Sequence, residues 1–378
     1  MTRKIIDLDT VQPNGKRGET QRPAFTKVND NFAELYAGLE AAQSALLHLD
    51  GRVTGRNRLI NGGFQVWQRG TTLPAASGPR YGADRWLVNA IGSTVAVTRE
   101  DIPAGGGAAG NLLAGSRFAL RLDVQSTAGA GNMALVQQRI EGVRTLSGRK
   151  ATISFKARSS VDGFRVGVEF QQSYGTGGST ALDSIGAAVT LDTVWRWHQV
   201  TVDVPAITGK TLGPGDYLQL SVWLDAGASF AGRAFGAGQK SGTVQLAEIQ
   251  IEEGDTATAF EYRAEALELL LCQRYYEQVD TNRVLGITYT ANGDTRASVP
   301  FKVSKRVPPK VTSPSNALNI VGFGNGGVVV NFNAGNPGWQ STVDAAVIAS
   351  LPNDMQGWGG VVVWSTTSQV LVQADAEL

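Results

Sequence analysis

A chain of 378 residues with 34 lysines and arginines against 33 aspartates and glutamates carries a formal charge of +1, so no global field draws it to nucleic acid or an anionic membrane. Its 46 glycines, 18% charged and 42% hydrophobic residues favour turn-rich β structure over a helical bundle and exclude a disordered polymer. One cysteine, Cys272, and two histidines, His48 and His198, exclude an intrachain disulfide framework and a histidine-rich metal centre, and suit folding in a reducing cytoplasm. No apolar run approaches the ~18 residues of a membrane helix, and MTRKIIDLDT lacks the apolar core of a secretory signal, so neither membrane insertion nor Sec export is expected.

In chain order, residues 1–22 contain TVQPNGKRGETQRP, a polar turn-forming arm that is either disordered or ordered on a partner. A helix is expected over 23–56. Its apolar positions Phe25, Val28, Phe32, Leu35, Leu39, Ala42, Leu46, Leu49 and Val53 alternate in steps of three and four, giving a heptad seam about four heptads long. Pro23 and the glycines at 51 and 55 bracket it. So narrow a stripe suits a helix that meets copies of itself rather than one lying on a globular core, although the number of strands stays open.

Over 57–263 the pattern changes to short alternating strands between glycine clusters. In TISFKAR, Ile153, Phe155 and Ala157 oppose Ser154, Lys156 and Arg158. In FRVGVEFQQ, Phe164, Val166, Val168 and Phe170 oppose Arg165, Glu169 and Gln171; in YLQLSVWLD, Leu218, Leu220, Val222 and Leu224 oppose Gln219, Ser221, Trp223 and Asp225. Half-buried strands at this spacing predict an antiparallel β-sandwich of jelly-roll type. A linking helix is expected over 264–280, from AEALELLLCQRYYEQV, with Cys272 packed as a small hydrophobe. A second β region, 281–378, follows. The fold class is thus mainly β: an N-terminal coiled-coil helix, a jelly-roll-like sandwich, a short helix and a C-terminal β domain.

The order of these segments resembles tail-fibre or receptor-binding proteins of tailed bacteriophages. NGKRGETQRPAFTKVNDNFAELYAGL is similar to the stretch by which such fibres enter their coiled coil, and NRLINGGFQVWQRGTT with GADRW resembles the opening of a carbohydrate-binding-module-like sandwich. LAEIQIEEGDTATAFEYR with LCQRYYE resembles its closing strand and exit helix; FKVSKRVPPKVT and the final ADAEL resemble a C-terminal tip domain. The resemblance implies a homotrimer on the virion tail, assembled in the host cytoplasm. Its residues 1–22 would anchor to a baseplate or tail protein, and it would bind a bacterial surface glycan or pilus.

No Walker loop, dinucleotide fingerprint, nucleophile elbow or metal-ligand spacing occurs, so no catalytic residue, cofactor or metal is expected. Paired carboxylates of a tail-spike hydrolase or lyase are the alternative, because Glu169, Asp225, Glu248, Glu252 and Glu253 lie scattered without a stacked repeat. A purely structural tail component is the third reading. Glycan binding needs an aromatic platform among polar donors and acceptors. The outward set Lys156, Arg158, Glu169, Gln171, Gln219, Trp223 and Asp225 offers that composition on one sheet face, if its strands are neighbours. Trp339 and Trp358, each in a Gly/Asn-rich loop, are the candidate receptor contacts of the tip. Trp67 and Trp86 are expected to pin the sandwich entry, Trp195 and Trp197 to pack at its rim, and Asp84 and Arg85 to pair with each other.

Overall fold

The computed structural model describes residues 6–18, 20–50, 55–113, 115–280, 284–285, 287–289, 295–312, 318–322, 328–332, 339–348, 362–365 and 370–377. The chain divides into two compact units, 1–56 and 57–378.

In the first unit the arm is a small folded turn. Val11 and Arg17 form an antiparallel bridge, Gln12 N donates to Lys16 O at 2.7 Å, and Asp7 Oδ1 accepts from Asp9 N and Thr10 N. Gly15 and Gly18, both at positive φ, supply the left-handed residues that such a tight return needs. The helix α1 (Gln21–Asp50) then runs for 30 residues, about 45 Å. Phe25, Phe32, Leu35 and Leu39 of its seam are each more than half exposed, and Val28 is half-buried. The side chains of Ala42, Leu46 and Leu49, and Val53 altogether, lie outside the described residues.

The second unit begins with a sandwich of twelve strands: β1 (Thr72–Ala76), β2 (Arg80–Tyr81), β3 (Leu87–Ile91), β4 (Thr94–Asp101), β5 (Phe118–Gln125), β6 (Met133–Glu141), β7 (Lys150–Ser159), β8 (Phe164–Ser173), β9 (Leu182–Leu191), β10 (Arg196–Asp203), β11 (Tyr217–Ala226) and β12 (Gly242–Glu253). Two antiparallel six-stranded sheets result, ordered β1-β4-β5-β12-β7-β10 and β2-β3-β6-β11-β8-β9. The period-2 alternation decides which residues meet between them. Leu120, Leu122, Ile153, Phe155 and Leu246 of the first sheet share one core with Val166, Val168, Phe170, Leu218 and Leu220 of the second. Trp86, fully buried, joins that core beside Phe64 at 5.4 Å between ring centroids and donates Nε1–H to Asn61 O. Trp67 is half-buried and donates to Phe64 O at 2.7 Å. Both tryptophans pin the entry segment.

The expected helix over 264–280 is shorter: α2 (Glu265–Gln273) ends before Arg274, and β13 (Tyr276–Asp280) is a strand. Leu and Glu carry the helix, whereas Tyr276 and Val279 fit a pleated surface, and pairing with Val370–Asp375 overrides the local helical pattern. Cys272 packs fully buried on α2, and burial raises its thiol well above the ordinary range. The strand Val370–Asp375 also pairs with Lys310–Thr312, closing a three-stranded sheet. Two four-stranded sheets complete the described C-terminal backbone. One joins Val284–Leu285, Val362–Ser365, Leu318–Gly322 and Val328–Phe332; the other joins Ile287–Tyr289, Thr295–Pro300, Ala345–Ile348 and Trp339–Ser341.

Four separated sequence motifs meet where this sheet joins the sandwich. Gln68 donates through its backbone N to Asp84 and through Nε2 to both Asp84 and Tyr276 O. Arg69 lies 3.4 Å from the Tyr276 ring centroid and pairs with Asp375 at 3.3 Å and Glu377 at 3.5 Å. Arg85, in the left-handed region at φ 72°, stacks at 3.4 Å on Tyr275, pairs with Glu377 and donates to Arg139 O at 2.5 Å. Asp84 and Arg85 therefore do not pair with each other; adjacent residues diverge, and each finds a partner from another segment. Arg306 closes the network by donating Nε–H to Ala376 O at 3.2 Å.

Candidate functional site

The outer face of the first sheet carries a cleft of about 280 Å³ over β7, β10 and β12. On β7 the residues facing away from the core are Thr152, Ser154, Lys156 and Arg158. On β10, Trp197 lies directly opposite Lys156 and Gln199 opposite Ser154. Trp197 is 45% exposed.

The cleft's chemistry depends on a bulge in β12. Ala247 pairs with Lys156 and Gln250 with Ser154, so β12 spends one residue more than β7 over the same step. Glu248 takes the left-handed conformation at φ 50°, Ile249 turns into the core, and the Glu248 carboxylate enters the cleft. Glu248 accepts hydrogen bonds from Ser116 Oγ and the Tyr262 hydroxyl and pairs with the Lys156 ammonium. Tyr262 is 49% exposed and packs edge-on against Phe260 at 4.9 Å. Burial, and then the hydrogen bond to Glu248, pushes its phenol above the ordinary tyrosine range. Two partly exposed aromatic rings thus flank a fixed Lys–Glu pair.

The NRLINGG motif holds this bulge. Ile249 N donates to Gly62 O at 2.9 Å, Asn57 Nδ2 donates to Ile249 O at 3.2 Å, and Asn57 Oδ1 accepts from Ile251 N at 3.1 Å. A Cβ on Gly62 would fall 2.1 Å from Ile249 O, whereas one on Gly63 would sit at an ordinary 3.5 Å from Phe260. Gly62→Ala is accordingly expected to lower stability by about 2–3 kcal/mol through forced displacement of β12, with Gly63→Ala near neutral. Thermal unfolding of the two variants side by side checks this; equal melting temperatures would contradict it.

The predicted polar face does not exist as one surface. Lys156 and Arg158 stand on β7 of the first sheet; Glu169 and Gln171 stand on β8, and Gln219, Trp223 and Asp225 on β11, of the second. The outward faces of these strands lie on opposite sides of the sandwich. The aromatic platform is corrected too: Trp223 is 1% exposed. The 227–241 segment folds over it, seating Phe230 5.5 Å and Arg233 5.3 Å from its ring, while Nε1 donates to Glu169 at 2.8 Å. Gly167 permits the cover, since a Cβ there would meet Ala234 O at 2.3 Å. Glu169 is fully buried against Arg233, Asp225 accepts from Ser93 Oγ, Ser126 Oγ and Lys240 N, and Gln219 bonds Arg139 and Gln137. Gln171 is half-buried. Pointing away from the core proved different from facing solvent.

Of the predicted set, Lys156 alone lines the cleft. Arg158 lies farther along the same face, bonded to Gln245 at 2.6 Å and 5.2 Å from the half-buried Trp195 ring. Trp195 packs with Leu113, Ala119 and Ala247, as its rim assignment expected; Trp197 does not. His198 faces inward beside Phe155 at 5.5 Å, and burial lowers its pKa. The Trp339 side chain and the whole of Trp358 lie outside the described residues.

No family model matches the chain. No curated protein matches it either. Among solved structures it is similar to the enzymatically active domain of tailspike protein 4 of bacteriophage CBA120, at 13% identity and TM-score 0.30, over 53% of this chain and 22% of that one. It is also similar to a family 11 carbohydrate-binding module from Clostridium thermocellum in complex with a β-1,3-1,4-mixed-linked tetrasaccharide, at 11% identity and TM-score 0.29, over 49% and 99% of the two chains. The xylan-binding CBM22-1 domain of Paenibacillus barcinonensis Xyn10C gives 15%, 0.28, 50% and 97% respectively.

Proposed function

We propose that the protein is a non-catalytic, multivalent adhesion component of a phage tail fibre whose sandwich cleft binds a bacterial surface glycan. The observation that carries this reading is the pair of exposed rings, Trp197 and Tyr262, flanking the Lys156–Glu248 pair in a concave, mixed-polarity cleft. A pyranose offers an apolar C–H face to an aromatic ring and hydroxyls to fixed polar groups, and this cleft presents both. Glu248 is the sole carboxylate among the described lining residues, and both its oxygens are engaged. Hydrolysis by paired carboxylates needs a second one with room for water or substrate between them.

Assembly enters through α1, whose described seam residues Phe25, Phe32, Leu35 and Leu39 the single chain leaves more than half exposed. A homotrimer would place three clefts on one particle, so that weak single-site contacts sum to firm attachment. The arm of residues 1–22, whose described residues 6–18 form a folded turn, is the proposed attachment to a baseplate or tail protein, and the C-terminal β region the proposed tip.

Trp197→Ala is expected to weaken binding of the isolated chain to purified host-surface polysaccharide about tenfold per site, the loss of about 1–2 kcal/mol of covered aromatic area. Tyr262→Phe, which keeps the ring but removes the bond to Glu248, should cost less. Calorimetry on the two variants tests the assignment; undiminished affinity in Trp197→Ala would overturn it, and release of reducing ends by the wild-type chain would establish the hydrolytic alternative.

A further inference from the structure

A second recess, of about 390 Å³, lies on the open face of the three-stranded sheet. It is built as two cross-strand rows. Tyr276, Asp375 and Lys310 are aligned in one row, and Gln278, Gln373 and Thr312 in the next. Side chains two residues apart share a face, so all six emerge on one side. The opposite side carries Glu277, Val279 and Ala374, which are buried. Arg69 from the sandwich entry walls the recess, its guanidinium stacked on Tyr276, which converts a flat sheet into a concavity.

The charges at its wall are matched. Arg69 holds Asp375 and Glu377, while Asp375 Oδ1 also accepts from Glu377 N. What faces the recess uncommitted is a mixed set of donors and acceptors. Among the described residues, the side chains of Lys310, Thr312 and Gln373 have no hydrogen-bond or ion-pair partner, and Gln278 uses Nε2 on the Tyr276 hydroxyl, leaving its carbonyl oxygen free. Rows about 7 Å apart on strands about 4.8 Å apart gather these groups on one short patch of the sheet. In the wall Arg69 and Asp375 pair with each other while Lys310 adds one uncommitted ammonium, and no aliphatic side chain lines the recess, which does not suit a lipid or an apolar peptide.

We propose that this recess is a second saccharide site, for a hydroxyl-rich pyranose unit held by Gln278, Gln373, Thr312 and Lys310. The site extends the glycan-binding reading and is physically separate from the cleft, sharing no lining residue with it. Its amides and hydroxyl can each donate and accept, which a sugar satisfies and a simple anion does not.

The test uses the full-length chain and saturation-transfer NMR with cellobiose, maltose, lactose and chitobiose at millimolar concentration. Trp197→Ala should leave residual saturation transfer from at least one disaccharide. Adding Gln278→Ala and Gln373→Ala should weaken that residual binding at least about tenfold, from two lost hydrogen-bonding groups. Gln373→Asn, which keeps the amide but shortens its reach, controls for folding together with unchanged circular dichroism. Residual binding that survives the triple substitution overturns the recess assignment. Complete loss of binding on Trp197→Ala alone also overturns it, while leaving the cleft intact as the glycan site. Binding removed by Gln278→Ala and Gln373→Ala but untouched by Trp197→Ala supports the recess and overturns the cleft. A wild-type chain that gives no transfer with any of the four sugars overturns both.

Discussion

Arg85→Met is expected to destabilise the 57–378 unit by about 3 kcal/mol, the low end of the cost of removing one partner of a buried charge pair, because Glu377 keeps its longer 3.5 Å contact with Arg69. Arg85 is 2% exposed, and Glu377, its partner, is 5% exposed at the side chain. Methionine preserves much of the packing on Tyr275, so the loss reports the charge and the bond to Arg139 O rather than a cavity. A second substitution makes the attribution specific. Removing the under-compensated carboxylate as well, in Arg85→Met with Glu377→Leu, should recover part of the loss, because an apolar pair of similar volume is often as stable as a buried ion pair. Denaturant unfolding of Arg85→Met, Glu377→Leu and the double variant decides the matter. A single-variant loss under about 1 kcal/mol, or a double variant less stable than either single, would show that Arg85 does not clasp the C-terminal segment.

That clasp accounts for motifs whose sequence gave no chemistry. NGGFQVWQRG, GADRW, QRYYE and ADAEL look unrelated along the chain, yet Gln68, Arg85, Tyr275, Tyr276 and Glu377 from them form one buried network. Alternation made the sandwich legible: Ile153, Phe155, Val166, Val168, Leu218 and Leu220 all entered the core as their period demanded. The same alternation also places Trp197 outward, since His198, Val200 and Val202 face in, but a tryptophan beside a strand start has the local pattern of rim packing, which hides its place in the cleft. Trp223 failed for the converse reason. Its side of the strand was right, but a segment that begins only at residue 227 in a Gly/Ala-rich stretch covers it, and no local period announces a cover. Glu248 was invisible as a site residue because its direction depends on one extra residue in β12, which turns the alternation by one step. Tyr262 lies in a stretch without period, so nothing local could bring it to Glu248.

Replacing Leu35 and Leu39 together by serine is expected to disperse the proposed homotrimer to monomers at micromolar concentration. The two residues occupy successive d and a positions of the seam, on a helix that in one chain leaves Phe25, Phe32, Leu35 and Leu39 all more than half exposed. Burying a leucine fully contributes about 1.5–3 kcal/mol, and in a trimer the pair is removed three times over, against an association that holds one helix per chain. Serine at these positions also places a hydroxyl in the seam, adding desolvation to lost area. Sedimentation equilibrium reads the mass, and circular dichroism should show helix content falling with dilution, because an unpartnered helix of this composition has little packing to sustain it. The proposed glycan cleft holds neither residue, so under the proposed adhesion role calorimetry on a single saccharide should return the wild-type affinity while attachment to cells falls by about 10²–10⁴. Trp197→Ala should do the reverse, lowering the calorimetric affinity with the mass unchanged. An assembly of wild-type mass in the double-serine variant would mean that the copies meet through another surface, and the exposed stripe on α1 would then belong to a different partner.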